Sequence, residues 1–103
     1  MINPMVTVVA TAELNADGTF AINRGFLSSV RNGPGDYTLM LLNPIDAGFV
    51  GPVISVRGAS AGVATYSIIG GGTGFQILTF EESAGTLTAT DRIFDILVMR
   101  QEN

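Results

Sequence analysis

The sequence predicts an all-β fold, an antiparallel β-sandwich of jelly-roll type with about eight short strands. Two observations carry this. Apolar and polar residues alternate with period two over nearly all of the 103 residues, and no segment sustains the 3.6-residue period of an amphipathic helix. Thirteen glycines, with clusters of Asn, Asp, Ser and Pro, break the alternation at the roughly 8–12-residue spacing of sandwich strands. One domain is expected over residues 5–103, with Met1–Pro4 as a loose N-terminal arm.

The elements follow in order. In Met5–Leu14, the residues Val6, Val8, Ala10, Ala12 and Leu14 fall on one face, with Thr7, Thr11 and Glu13 on the other. Asn15-Ala16-Asp17-Gly18 supplies hairpin chemistry, Asp-Gly being a strong turn signal. Gly18–Arg24 is a short strand with Phe20 and Ile22 on one side, and Phe26, Ser28 and Val30 alternate after it. Asn32-Gly33-Pro34-Gly35-Asp36 bends the chain into Asp36–Leu42, where Tyr37, Leu39 and Leu41 share a face. Asn43 to Gly48 interrupts, and Phe49–Arg57 resumes with Pro52 at an edge position, where a missing donor does little harm. Val63–Ile69 and Phe75–Glu82 are strands joined by Gly70-Gly71-Gly72-Thr73-Gly74. Thr86–Thr90 carries no clear signal. Asp91–Arg100 closes the domain with Phe94, Ile96 and Val98 on one face.

Three of these strands are apolar on both faces: Leu39–Leu42, Ile68-Ile69 and Ile96–Met99. An antiparallel strand of a two-layer monomer normally leaves one face polar. With no helix available as a covering layer, the expected cover is a neighbouring copy, so the chain is expected to be a homo-oligomer.

Composition narrows the function. There is no histidine, cysteine, tryptophan or lysine, and the five basic residues, all arginines, are outnumbered by nine acids for a net charge of −4. Phosphate-neutralising charge for nucleic acid is therefore lacking. Most general bases and activated nucleophiles are missing as well, so an enzyme is not expected. No cofactor or metal site is expected either. The longest aliphatic runs span four or five residues against the roughly 20 of a membrane helix, and Met1-Ile2-Asn3-Pro4 lacks the basic start of a signal peptide. No membrane contact is expected. Charged residues make up 14% of the chain, well under the roughly 25% of an average soluble domain, which again points to a covered surface.

The motifs read as structure. Gly70–Gly74 lacks the Gly-Lys-Ser/Thr ending and following helix of a phosphate loop. Asn15–Gly18 is half of a calcium loop, but Arg24 stands where the closing glutamate belongs. Glu81 and Glu82 point to opposite faces of one strand, against a shared glycosidase cleft. Asp91 and Asp95 form the other acidic cluster, and Asp95 is expected to pair with an arginine. Tyr37 and Tyr66 alternate with core residues and read as half-buried rather than as sugar platforms. Arg24 and Arg31 flank the Phe26–Val30 strand as solvated ends or as inter-subunit partners.

The stretch Ile22–Leu41 resembles small β-domains of bacteriophage structural proteins, those of tail-fibre tips, head fibres and capsid accessory proteins. The resemblance rests on Gly25-Phe26, Ser29-Val30, Arg31, Gly33-Pro34-Gly35 and Tyr37-Thr38. Thr73–Ile77 and the closing Asp91–Met99 are similar to strands of the same domains. It implies a jelly roll like the trimeric complement C1q and tumour-necrosis-factor heads, and a virion location without catalysis. The absence of a long shaft, of tryptophan and of lysine favours a free-standing accessory protein over a fibre tip.

The resulting expectation is a trimeric capsid decoration or cementing protein, bound to a major capsid protein or another virion protein. The candidate trimer-packing residues are Tyr37, Leu39, Leu41, Phe80, Phe94, Ile96 and Val98. The candidate docking segment is Met1, Ile2, Asn3, Pro4, Met5, Val6 and Thr7. The alternatives are a receptor-binding tip gripping host glycans through Gly58–Gly62 and Gly70–Gly74, and a glycoside-active enzyme using Glu81 or Asp95.

Overall fold

The structure, a computed structural model, describes residues 5–45, 49–58 and 60–102. These residues form nine strands: β1 (Met5–Leu14), β2 (Phe20–Arg24), β3 (Phe26–Gly33), β4 (Asp36–Leu41), β5 (Phe49–Arg57), β6 (Gly62–Ile69), β7 (Gly74–Ser83), β8 (Thr86–Ala89) and β9 (Ile93–Glu102). The ambiguous segment after Ser83-Ala84-Gly85 supplies β8.

Sheet A runs β2-β1-β9-β5 and sheet B runs β3-β4-β7-β6, all antiparallel. β8 continues the line of β4 along the same edge of β7. The two sheets pack face to face as a β-sandwich. The first and last strands pair in sheet A, and the next pair inward, β4 with β7, lies in sheet B. This nested wrapping makes the sandwich jelly-roll-like.

On the central strands β4, β7 and β9 the residues that alternation puts on one face stay together, and that face fills the core rather than meeting another copy. Tyr37, Leu39 and Leu41 from β4 meet Phe94, Ile96 and Val98 from β9, with Phe75 and Ile77 from β7 beside them, all buried. Tyr37 meets Phe94 edge-on at 5.2 Å between ring centroids, a favoured aromatic geometry. Each such side chain contributes about 1.5–3 kcal/mol by leaving water.

On β1, β2 and β3 the expected faces are partly wrong, and β-bulges are the reason. A bulge inserts one residue and flips every side chain beyond it. β1 shifts register between Val8 and Ala10, so Ala10, Ala12 and Leu14 face the core while Val8 is exposed. Opposite the irregularity at Glu13/Leu14, β2 turns Phe20 inward and Ile22 outward. β3 shifts between Phe26 and Ser28, burying Phe26 but presenting Val30 to the surface.

The chain changes sheets between β2 and β3 at Gly25. The Asn23 side chain bridges that corner, accepting from the Phe26 N–H and donating to the Phe26 carbonyl, each at 3.0 Å. It occupies the two groups a neighbouring strand would otherwise take. Gly25 has φ +103°, and a side chain there would strike the β1 backbone at Val9 and Ala10, so only glycine fits.

Candidate functional site

Facing away from the core, sheet B carries a broad surface poor in charge. The pairing register lines up Val30, Thr38, Gln76 and Ser67 across four strands. Beside that row lie Met40, then Leu78 with Thr65, then Phe80 with Val63. The charged positions on this face, among the described residues, are Asp36, which accepts from Gln76 Nε2 at 3.1 Å, and Glu82 opposite Leu87. Apolar side chains set among neutral polar ones, with little charge, fit the composition of a protein–protein interface.

The packing residues expected from the sequence need correcting against this surface. Tyr37, Leu39, Leu41, Phe94, Ile96 and Val98 are buried between the two sheets of one chain, so they have no surface left for another copy. Period-two patterning identifies the faces of a strand but not which of two apolar faces turns inward. Phe80 differs, because it lies on the outward side of β7. Of the candidate docking segment, Met1, Ile2, Asn3 and Pro4 lie outside the described residues, while Met5, Val6 and Thr7 begin β1.

Sheet A carries a groove of about 360 Å³ on its outward face. Ile22, Val53 and Leu97 form apolar walls, with Thr11 and Ser55 between them. One end is closed by an ion-pair cluster. Arg57 donates to both oxygens of Asp95, at 2.8 and 3.0 Å, and to Glu13 Oε1 at 3.2 Å. Asp95 thus has the arginine partner the sequence predicts, within its own chain. The bond to Asp95 holds the Arg57 guanidinium above its ordinary pKa.

Asn32-Gly33-Pro34-Gly35-Asp36 is the β3–β4 hairpin, held by Asp91. Asp91 accepts from Arg31 Nε through both oxygens, at 3.0 and 2.9 Å, and from the Gly35 N–H at 2.7 Å. Those two donors, Arg31 first, hold its carboxyl below the usual carboxylate range. Tyr37 completes the cluster, donating to the Ala16 carbonyl at 2.7 Å, and burial pushes its phenol upward. Arg31, an expected inter-subunit partner, is therefore engaged at home.

Arg92 is buried and has no carboxylate partner among the described residues. Its guanidinium donates to the carbonyls of Arg57, Ser60 and Ala61, which fastens the β5–β6 connection to the start of β9. Nothing in the sequence marks this role. Five donors in a fixed fork suit a turn full of carbonyls, but hydropathy and spacing do not show which arginine meets one.

The glycine-rich stretch before β7 is a strand connection: the Ile69 carbonyl accepts from the Gly72 and Thr73 N–H groups at 3.1 and 3.0 Å. Of the tyrosines, Tyr37 is fully buried, whereas Tyr66 is 45% exposed and packs edge-on against Phe75. Among the described residues no group of three Asp or Glu side chains could hold a metal ion. Asp91 and Asp95 lie in separate clusters rather than across one cleft.

Comparison with known proteins returns no match: no family model, no curated protein sequence and no solved structure is significantly similar to this chain.

Proposed function

We propose that this chain is a non-enzymatic structural protein of a bacteriophage virion, a homotrimeric decoration or cementing protein of the head surface that assembles through the outer face of sheet B. The observation that carries the reading is that face: Val30, Met40, Leu78, Phe80 and Val63 spread over four strands with charge, among the described residues, only at Asp36 and Glu82. An apolar patch with so little charge supports a partner surface. Several titratable side chains support the same reading, because they are spent on architecture. Asp91 and Arg31 hold a hairpin, Asp95, Glu13 and Arg57 hold each other, and Arg92 holds a loop. The virion assignment rests on the resemblance carried by Gly25-Phe26, Arg31, Gly33-Pro34-Gly35 and Tyr37-Thr38. In the structure these positions form the sheet-switching corner and the Asp91-anchored hairpin.

Copies joined in threes, each with a weak capsid contact, bind together far more tightly than one copy alone. Electron microscopy of the parent particle tests the assignment. Three-fold density of this sandwich on the head supports it. Density at a fibre tip favours a receptor-binding module instead, and absence from purified particles contradicts both.

A further inference from the structure

We infer that the groove on the outer face of sheet A is a two-fold contact, occupied by the same face of a second copy of this chain. This face lies opposite to the trimer surface, and its pairing depends on neither the virion assignment nor that trimer.

Charge favours such a pairing. Asp95 is engaged through both oxygens by Arg57, whereas Glu13 gives Arg57 one oxygen, leaving Oε2 without a hydrogen bond among the described residues. Two carboxylates thus face one arginine. On the same outward face stands Arg24, whose guanidinium has no ion pair or side-chain hydrogen bond among the described residues. The face carries an unspent cation and an unspent carboxylate that do not meet within one chain.

Their placement suits a two-fold axis. Pairing sets two adjacent rows across the sheet. One row is Arg24, Thr11, Leu97 and Val53, and the next is Ile22, Glu13, Asp95 and Ser55. A two-fold axis lying between the rows in the plane of contact, perpendicular to the strands, exchanges them. Arg24 of each copy then lies over Ile22 of the other, beside Glu13, and the ion pair forms twice. An isologous contact requires this self-complementarity.

Apolar area adds to both. Ile22 and Val53 are 52% and 54% exposed on the groove walls. Three strands of nine or ten residues and the shorter β2, at ~4.8 Å spacing and ~3.4 Å rise per residue, present roughly 550 Å². Stable interfaces bury about 600–1,000 Å² per partner, so this face together with its rim reaches the lower end of that range.

The chain has no cysteine, which makes the test clean. Chains carrying Arg24→Cys are mixed with chains carrying Glu13→Cys, which leaves one of the two reciprocal ion pairs intact, and a short bismaleimide is added. The expected product is a covalent pair containing one chain of each kind. Its absence overturns the inference. In parallel, Arg24→Glu, at an exposed position, is expected to keep the wild-type circular dichroism spectrum and to lower the weight-average mass by light scattering at least twofold at equal concentration. An unchanged mass, or a wild-type chain that is already monomeric at high micromolar concentration, overturns it as well.

Discussion

Asp91 Oδ1 accepts the backbone N–H of Gly35 at 2.7 Å, joining the β3–β4 turn to the segment entering β9 across 56 positions of sequence. The same carboxylate takes Arg31 Nε, but the two contacts are unequal in consequence. Gly35 is buried, so losing Asp91 strands an N–H without an acceptor, whereas losing Arg31 removes a solvent-screened ion pair. Asp91→Ala is expected to cost about 2–3 kcal/mol of unfolding free energy. Arg31→Gln should cost clearly less. Urea denaturation of the two variants checks the order.

The same carboxylate predicts a pH dependence. Its folded pKa lies below the ordinary aspartate value of 3.8, so its stabilisation is fully present above about pH 4. That stabilisation is lost as pH falls through the folded value. Stability measured from pH 5 to pH 2 should fall more steeply in the wild type than in Asp91→Ala, the two curves converging at the acid end.

The turn beside it discriminates between two glycines. Gly35 has φ +64°, and a methyl there would meet the backbone of Thr79 and Thr90, whereas nothing lies within 4 Å of a methyl at Gly33. Gly35→Ala should therefore destabilise by about 3 kcal/mol or more, backbone strain and collision adding together. Gly33→Ala should be near neutral. Equal effects on the thermal midpoint would contradict the turn described.

Arg92 holds the β5–β6 connection, and its variants should loosen that loop first. Arg92→Met keeps much of the apolar stem but removes the donors to the Arg57, Ser60 and Ala61 carbonyls, at about 2 kcal/mol. Hydrogen exchange should quicken around Ser60 and Ala61 before the core strands are affected. Arg92→Lys, with three donors in place of five, should fall between.

Much of the architecture was legible from alternation and turns, because β4, β7 and β9 run without a bulge between their core residues. Tyr37, Leu39 and Leu41 share a face as the pattern says, and so do Phe94, Ile96 and Val98. The pattern fails at Val8, Ile22 and Val30, where one extra residue in a strand turns the rest over. A bulge leaves little trace in hydropathy, so the outward faces, where the candidate site lies, were read less well than the core. The partner of Asp95 followed from its chemistry; those of Asp91 and Arg92 depend on which loops the topology brings together.

Whether sheet B's outer face holds copies of the chain together is decided by the mass of the Leu78→Lys variant. Leu78 sits amid that face, pointing away from the core, so a lysine there should spare the fold but place a charge inside the contact. Light scattering is made in the Arg24→Glu background, which removes the sheet A contact. Three times the 10.8 kDa chain mass is expected with Leu78 present, and the single-chain mass with lysine in its place. A single-chain mass in both, or an unchanged trimer in the lysine variant, would refute assembly through this face.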